Sequence, residues 1–160
     1  MNKLNKRKSK DLQRGEYCEK LFLYEFKNYV KRSAYLSDVI DFKHKTKKKN
    51  AELKSRDYYF NDCKDWKVGL NKINDARRFF LKGGTTYIYM MFYDGLYFWK
   101  FHPDKINQKQ ISRDSRVDRG KIETGDYYNI KLGEFTKSNR QVCNPLDLTN
   151  FKNVNECMID

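Results

Sequence analysis

Proline occurs only twice and glycine eight times in 160 residues, too few for a collagen-like or a Pro/Gly-rich low-complexity chain. No apolar run approaches the roughly 18 residues that a membrane-spanning helix needs. The first ten residues hold five lysines and arginines with no apolar stretch behind them, so neither a span nor a secretory signal is expected. Cysteine is scarce and scattered. Cys18, Cys63, Cys143 and Cys157 form no C-x-x-C pair, and only His44 and His102 are there to complete a zinc set, so a structural zinc site is not expected. Reduced thiols in a reducing, intracellular compartment are the expectation, either the cytoplasm or a host cell or virion. Acidic residues are also in deficit, 21 against 34 lysines and arginines, for a formal charge of +13.

What the chain does contain is aromatic area and positive charge. Twelve tyrosines, eleven phenylalanines and two tryptophans supply more rigid apolar surface than a disordered chain carries. The length matches about one domain on a prior of roughly 150 residues per domain. The positive field leans toward the N-terminus, with fifteen basic against six acidic residues in the first fifty. Two clusters dominate it: Lys3, Lys6, Arg7, Lys8 and Lys10, then Lys43, Lys45, Lys47, Lys48 and Lys49. Such density attracts polyanions by counterion release, and nucleic acid is the commonest of them. A membrane surface fits less well, because the arm lacks the apolar face of an interfacial helix.

Residues 1–11 read as a flexible basic arm, 12–137 as the folded domain and 138–160 as a C-terminal extension. Between Gln13 and Arg32, Cys18, Phe22, Phe26, Tyr29 and Val30 fall at helical spacing, with Glu19 at the margin of the stripe. Two short extended segments follow, Asp38 to Lys43 and Ala51 to Tyr59, joined as a hairpin by the Lys-rich turn. Trp66, Leu70, Ile73, Ala76 and Phe80 recur with a period near 3.6, and Gly83-Gly84 stops that helix. Thr85 to Tyr93 is β-rich, Asp94-Gly95 is a turn signal, and Leu96 to Phe101 returns as its partner. A last strand is expected near Tyr127 to Leu132. The order is helix, two strands, helix, two strands and a looser tail: an α/β or α+β single domain.

The sharpest local feature is Ala51-Glu52-Leu53-Lys54-Ser55-Arg56-Asp57, with Asp41 eleven positions before Glu52. Side chains alternate along a strand, so Glu52 and Lys54 project together while Leu53 enters the core. If Asp41 faces the same way, two carboxylates can hold a hard cation such as magnesium, which prefers oxygen ligands and keeps several waters. Asp38, three residues earlier, competes for Asp41's role. Phosphodiester hydrolysis uses such a set: a metal to neutralise the phosphate and activate a water, and a cation beside it. An E-x-K pair alone describes any half-exposed strand, so its weight comes from the upstream acid, the positive field and the element order.

These residues resemble the PD-(D/E)XK, restriction-endonuclease-like superfamily, whose core order is α-β-β-β-α-β in a mixed sheet flanked by helices. Ser55-Arg56-Asp57 and Phe92-Tyr93-Asp94-Gly95-Leu96-Tyr97 further resemble small endonuclease-like proteins of viruses and phages. The resemblance covers roughly residues 15–130. It implies a magnesium-dependent DNA endonuclease, with manganese able to substitute, in which Asp41, Glu52 and the Leu53 carbonyl hold the metal and Lys54 is the catalytic lysine. Glu19 matches the acid that many members place on the first helix. Arg56, Lys72, Arg116, Arg119 and Lys121 would contact the nucleic-acid backbone, setting affinity and salt dependence rather than sequence choice. Lys72 to Ala76 departs from the Gln-x-x-x-Tyr of exonuclease-like members, so exonuclease activity is not expected. DNA is the expected partner, with RNA and homodimerisation left open and no membrane. The alternative is a non-catalytic nucleic-acid-binding or packaging protein on a nuclease-like scaffold.

Other features carry less. His44 lies among lysines and His102 precedes a proline, and neither lines up with a Ser or Cys nucleophile. Gly83-Gly84 lacks the flanking pattern of a phosphate cradle. Tyr87, Tyr89, Tyr93 and Tyr97 suit core packing better than a base-stacking platform.

Overall fold

The computed structural model describes residues 3–32, 40–56, 58–118 and 121–140. Helix α1 (Lys3–Glu25) leads into β1 (Tyr29–Lys31), β2 (Phe42–His44) and β3 (Lys49–Ser55). Then come β4 (Asp65–Gly69), helix α2 (Leu70–Leu81), the hairpin β5 (Thr85–Phe92) and β6 (Gly95–Lys100), β7 (Ile111–Asp118), β8 (Lys121–Lys131) and β9 (Thr136–Lys137). Six strands form one mixed sheet in the order β1-β2-β3-β5-β6-β9, and β4-β8-β7 form a second, antiparallel sheet. Within the large sheet only β3 and β5 run parallel. A parallel pair needs a long crossover, and the stretch carrying β4 and α2 provides it.

The two faces of the large sheet have separate cores. Under α1, Cys18, Leu21 and Phe22 pack on Phe42, Ala51, Leu53, Tyr89, Met91 and Leu96. The stripe of three consecutive contact positions, i, i+3 and i+4, makes that face of α1 apolar. On the other face, Ile73 and Ala76 of α2, with Trp66, Val68, Tyr128 and Ile130 of the second sheet, cover Ile88, Met90, Phe92, Tyr97, Trp99 and Phe101. No helix among the described residues is long and apolar enough to cross a membrane.

Several expectations shift. Residues 3–11 are helical, continuous with α1, so the boundary drawn at residue 11 falls inside a helix. That helix ends at Glu25, before Tyr29 and Val30, because β1 pairs with β2, placing Tyr29 opposite His44 and Lys31 opposite Phe42. The β-branched and aromatic residues at 29 and 30 suit that pairing. Trp66 and Val68 belong to β4 rather than to the start of α2, for β8 offers a full antiparallel ladder from Asp65 to Gly69. Trp66 stands four residues before Leu70, a helical interval that mimics an earlier start of α2 in sequence. The second hairpin turns at Tyr93-Asp94, one residue early, since Phe92 pairs with Gly95. Asp94 fixes that turn by accepting from the Phe60 amide at 2.9 Å and from the Tyr97 hydroxyl at 2.9 Å. Gly95, with φ near 138°, takes a backbone conformation that side-chain-bearing residues rarely adopt.

Tyr89 and Tyr97 are buried and Tyr87 and Tyr93 half-buried, so the tyrosine series packs rather than forms an open platform. Cys18 and Cys63 are buried free thiols, and burial pushes the Cys18 thiol up to about 11. Cys143 and Cys157 lie outside the described residues.

Candidate functional site

Alternation along β3 sorts its residues. Ala51 and Leu53 belong to the core under α1, so Asn50, Glu52 and Lys54 face the α2 side. The β2–β3 ladder pairs Lys43 with Asn50 and Phe42 with Ala51, which carries Asp41 to the position opposite Glu52. Directly opposed residues of an antiparallel pair share a face. The two acids therefore stand together where the ladder ends.

The end of the ladder is capped by a side chain. Asp41 Oδ2 accepts from the Leu53 amide at 3.1 Å, and the Asp41 carbonyl accepts from the Arg32 amide at 2.9 Å. The carboxylate thus takes the place of the next strand residue. Because the N–H and C=O of one strand residue point to the same edge, the Leu53 carbonyl also points toward Asp41. The amide of Arg56, three residues on, donates to the Met91 carbonyl on the opposite edge.

Glu52 is fully buried. Its Oε1 meets the Lys54 ammonium at 2.9 Å and also the Lys72 ammonium, which reaches down from α2. Its Oε2 is buried and has no hydrogen-bond partner among the described residues. Burial raises the Glu52 pKa above the ordinary carboxylate value. The Lys54 charge works against that shift, the neighbouring Asp41 charge adds to it, and Lys72 opposes it by charge and hydrogen bond. Asn50 and Thr86, opposed in register on β3 and β5, are buried polar neighbours along the same face.

Not every residue singled out in the sequence joins this cluster. Glu19 forms an ion pair with Lys31 of β1 instead, on α1, which packs against the other face. Arg56 lies with its guanidinium 4.4 Å from the centre of the Trp66 ring and donates to the Ser55 carbonyl at 3.0 Å. Lys72, expected to contact a nucleic-acid backbone, meets Glu52 directly. No local pattern marks it, since it is eighteen residues from Lys54, and only the β3–α2 crossover brings it in. Arg116 and Lys121 sit on β7 and β8 of the second sheet, while Asp38 and Arg119 lie outside the described residues.

The donor set fits a hard cation that retains waters. It offers the partnerless Glu52 Oε2, the half-buried Asp41 carboxylate and the Leu53 carbonyl, all oxygens. Among the described residues no three His, Cys, Asp or Glu side chains converge, so two carboxylates are what the site supplies. Nothing matches the chain in comparisons with protein-family models, with curated proteins or with solved structures.

Proposed function

We propose that the protein is a divalent-metal-dependent DNA endonuclease of the PD-(D/E)XK kind. The observation that carries this reading is the opposition of Asp41 and Glu52 at the open end of the β2–β3 ladder, with Lys54 beside them. The connectivity supports it as well. Helix α1, the antiparallel run β1-β2-β3, helix α2 and a β5 parallel to β3 follow the α-β-β-β-α-β order of that superfamily once β4, inserted between β3 and α2 and paired in the second sheet, is set aside.

Asp41, Glu52 and the Leu53 carbonyl would hold magnesium or manganese, which neutralises phosphate charge and lowers the pKa of water. The protein's own groups do the rest. Asp41 is oriented by the Leu53 amide, so its carboxylate is preset rather than ordered on binding. Lys54 is about one-third exposed and reaches solvent, where its ammonium can meet a phosphate oxygen as negative charge builds there. Lys72, more enclosed, opposes by charge and hydrogen bond the rise that burial imposes on the Glu52 pKa.

Supercoiled plasmid incubated with and without magnesium or manganese tests the reading. Nicked and linear products are expected with metal and none with chelator, and Glu52→Gln should remove them. Manganese should also raise the melting temperature of the wild type but not of Asp41→Asn, since an ion that binds only the folded state stabilises it. Equal cleavage by wild type and Glu52→Gln would sink the proposal. The two ammoniums already gathered on Glu52 favour one other reading, a non-catalytic nucleic-acid-binding protein on this scaffold. That reading expects salt-sensitive binding and no metal-dependent product from any substrate.

A further inference from the structure

The β2–β3 connection is a tight turn made almost wholly of cations. Lys43, Lys45, Lys47 and Lys48 are exposed, Lys49 is half-buried, and Lys82 is exposed where α2 ends. Among the described residues none of the six has a carboxylate within ion-pair reach. Four other lysines, Lys31, Lys54, Lys67 and Lys72, do pair with acids.

The turn is nonetheless held in one conformation. His44 Nδ1 accepts from the amides of Thr46 at 3.2 Å and Lys47 at 3.0 Å, and its ring stands edge-on to Tyr29 at 5.1 Å. The Lys45 amide donates to the Asn28 carbonyl at 2.7 Å, and the Thr85 amide to the Lys48 carbonyl at 2.9 Å. Lys48 Nζ also donates to the Lys82 carbonyl at 3.3 Å, which ties the turn to the end of α2. Like charges fixed within a Debye length of about 8 Å repel one another, and a polyanion that threads between them relieves the repulsion and releases counterions.

Position supplies the second argument. Phe42 packs under α1, so Lys43 faces the other way, opposite Asn50 and on the same face as Glu52. It lies two residues beyond Asp41, about 7 Å along the chain at a strand's rise. A run of unpaired cations therefore leads from the acid pair to the end of the sheet. No apolar side chain in residues 43–49 is available to insert between lipids, which favours a nucleic acid over a bilayer.

We propose that Lys43, Lys45, Lys47, Lys48 and Lys82 form the docking track for a nucleic-acid phosphate backbone. The direction of the track toward Asp41 and Glu52 rests on the nuclease reading, whereas the binding itself does not. It is distinct from Arg56 and Lys72, which contact Trp66 and Glu52.

Binding is measured in chelator, where cleavage plays no part, by fluorescence anisotropy of a labelled 20-base-pair duplex over a salt series. Lys45→Gln/Lys47→Gln/Lys48→Gln should bind about tenfold more weakly or worse, with a log–log salt slope smaller by about 2 to 3, near 0.9 per lost contact. The Lys→Arg triple variant should bind like the wild type. A control with the same charge removed, Lys64→Gln/Lys105→Gln/Lys109→Gln, should lose less than about threefold if only long-range field is reduced. The proposal is overturned if the turn variant binds within twofold of wild type or if the control loses as much. It is also overturned if the turn variant loses phosphatidylserine-vesicle binding but keeps the duplex. Loss of binding in the turn variant, from a protein that never cleaves, would support the track and reject only the nuclease reading.

Discussion

The two faces of β3 are built from adjacent residues and obey different rules. The side chains of Ala51 and Leu53 pack in an apolar cluster with Phe22, Phe42 and Tyr89, where the contribution is area removed from water. Asn50, Glu52 and Lys54, one step out of phase, carry a buried carboxylate with one oxygen left without a partner. A core optimised only for stability has no use for that oxygen, because an unpaired buried polar group costs about 1–3 kcal/mol. The face under α1 secures the strand, and the opposite face uses that security to hold groups that would otherwise destabilise it.

On the proposed nuclease reading, the largest effect that separates the faces is on chemistry. Glu52→Gln and Lys54→Ala should each lower plasmid cleavage by about 10²- to 10³-fold or more, the scale of losing one preorganised electrostatic group. Circular dichroism and duplex affinity should stay near wild type. Leu53→Ala should do the reverse. Urea denaturation is expected to show a loss of about 2–5 kcal/mol for the cavity it leaves, with cleavage per folded molecule retained, since Leu53 serves the site through its backbone. Similar stability losses for Leu53→Ala and Glu52→Gln would remove the distinction.

Smaller effects sharpen it. Lys72→Met should cost about 2 kcal/mol in urea, less than the 3–5 kcal/mol of stranding a buried charge, because Lys54 still meets the same oxygen. Cleavage should fall too, most steeply at low pH, as Glu52 protonates more readily without that cation. The smallest effect belongs to His44, whose pKa is lowered by desolvation first and then by the Lys47 and Lys49 charges. Its neutral ring accepts two amides, so its contribution is complete above the unfolded value near 6.5 and declines as pH falls through the folded value. The melting temperature of the wild type should therefore drop between pH 7.5 and pH 5 by more than that of His44→Gln. An equal drop would show that the imidazole does not hold the turn.

Much of the site is legible in the chain because it is local. Glu52 and Lys54 share a face by alternation alone, and Asp41 needs only a hairpin to reach them. Lys72 shows where such reading stops. Its sequence neighbours suggest an exposed helix, and its place on Glu52 follows from where the β3–α2–β5 crossover sets the first turn of α2. Arg56 is the converse case, a cation beside the motif that the fold turns onto Trp66. The strand β4 was hidden for a related reason: Trp66 falls at helical spacing from Leu70 as well as in alternation with Val68, and the partner β8 is some sixty residues away.

Composition and spacing by themselves determined that this is a basic, aromatic-rich α/β chain in which an acid and a lysine share one strand face below an upstream aspartate. Those properties depend on charge and on a two-residue repeat, which any extended backbone expresses. Only the tertiary structure decided that Glu52 is sealed from water, that a second ammonium reaches it from α2, and that the lysines of the β2–β3 turn find no acid partner among the described residues. Burial and long-range pairing are sums over neighbours distant in the chain, and no window of sequence contains them.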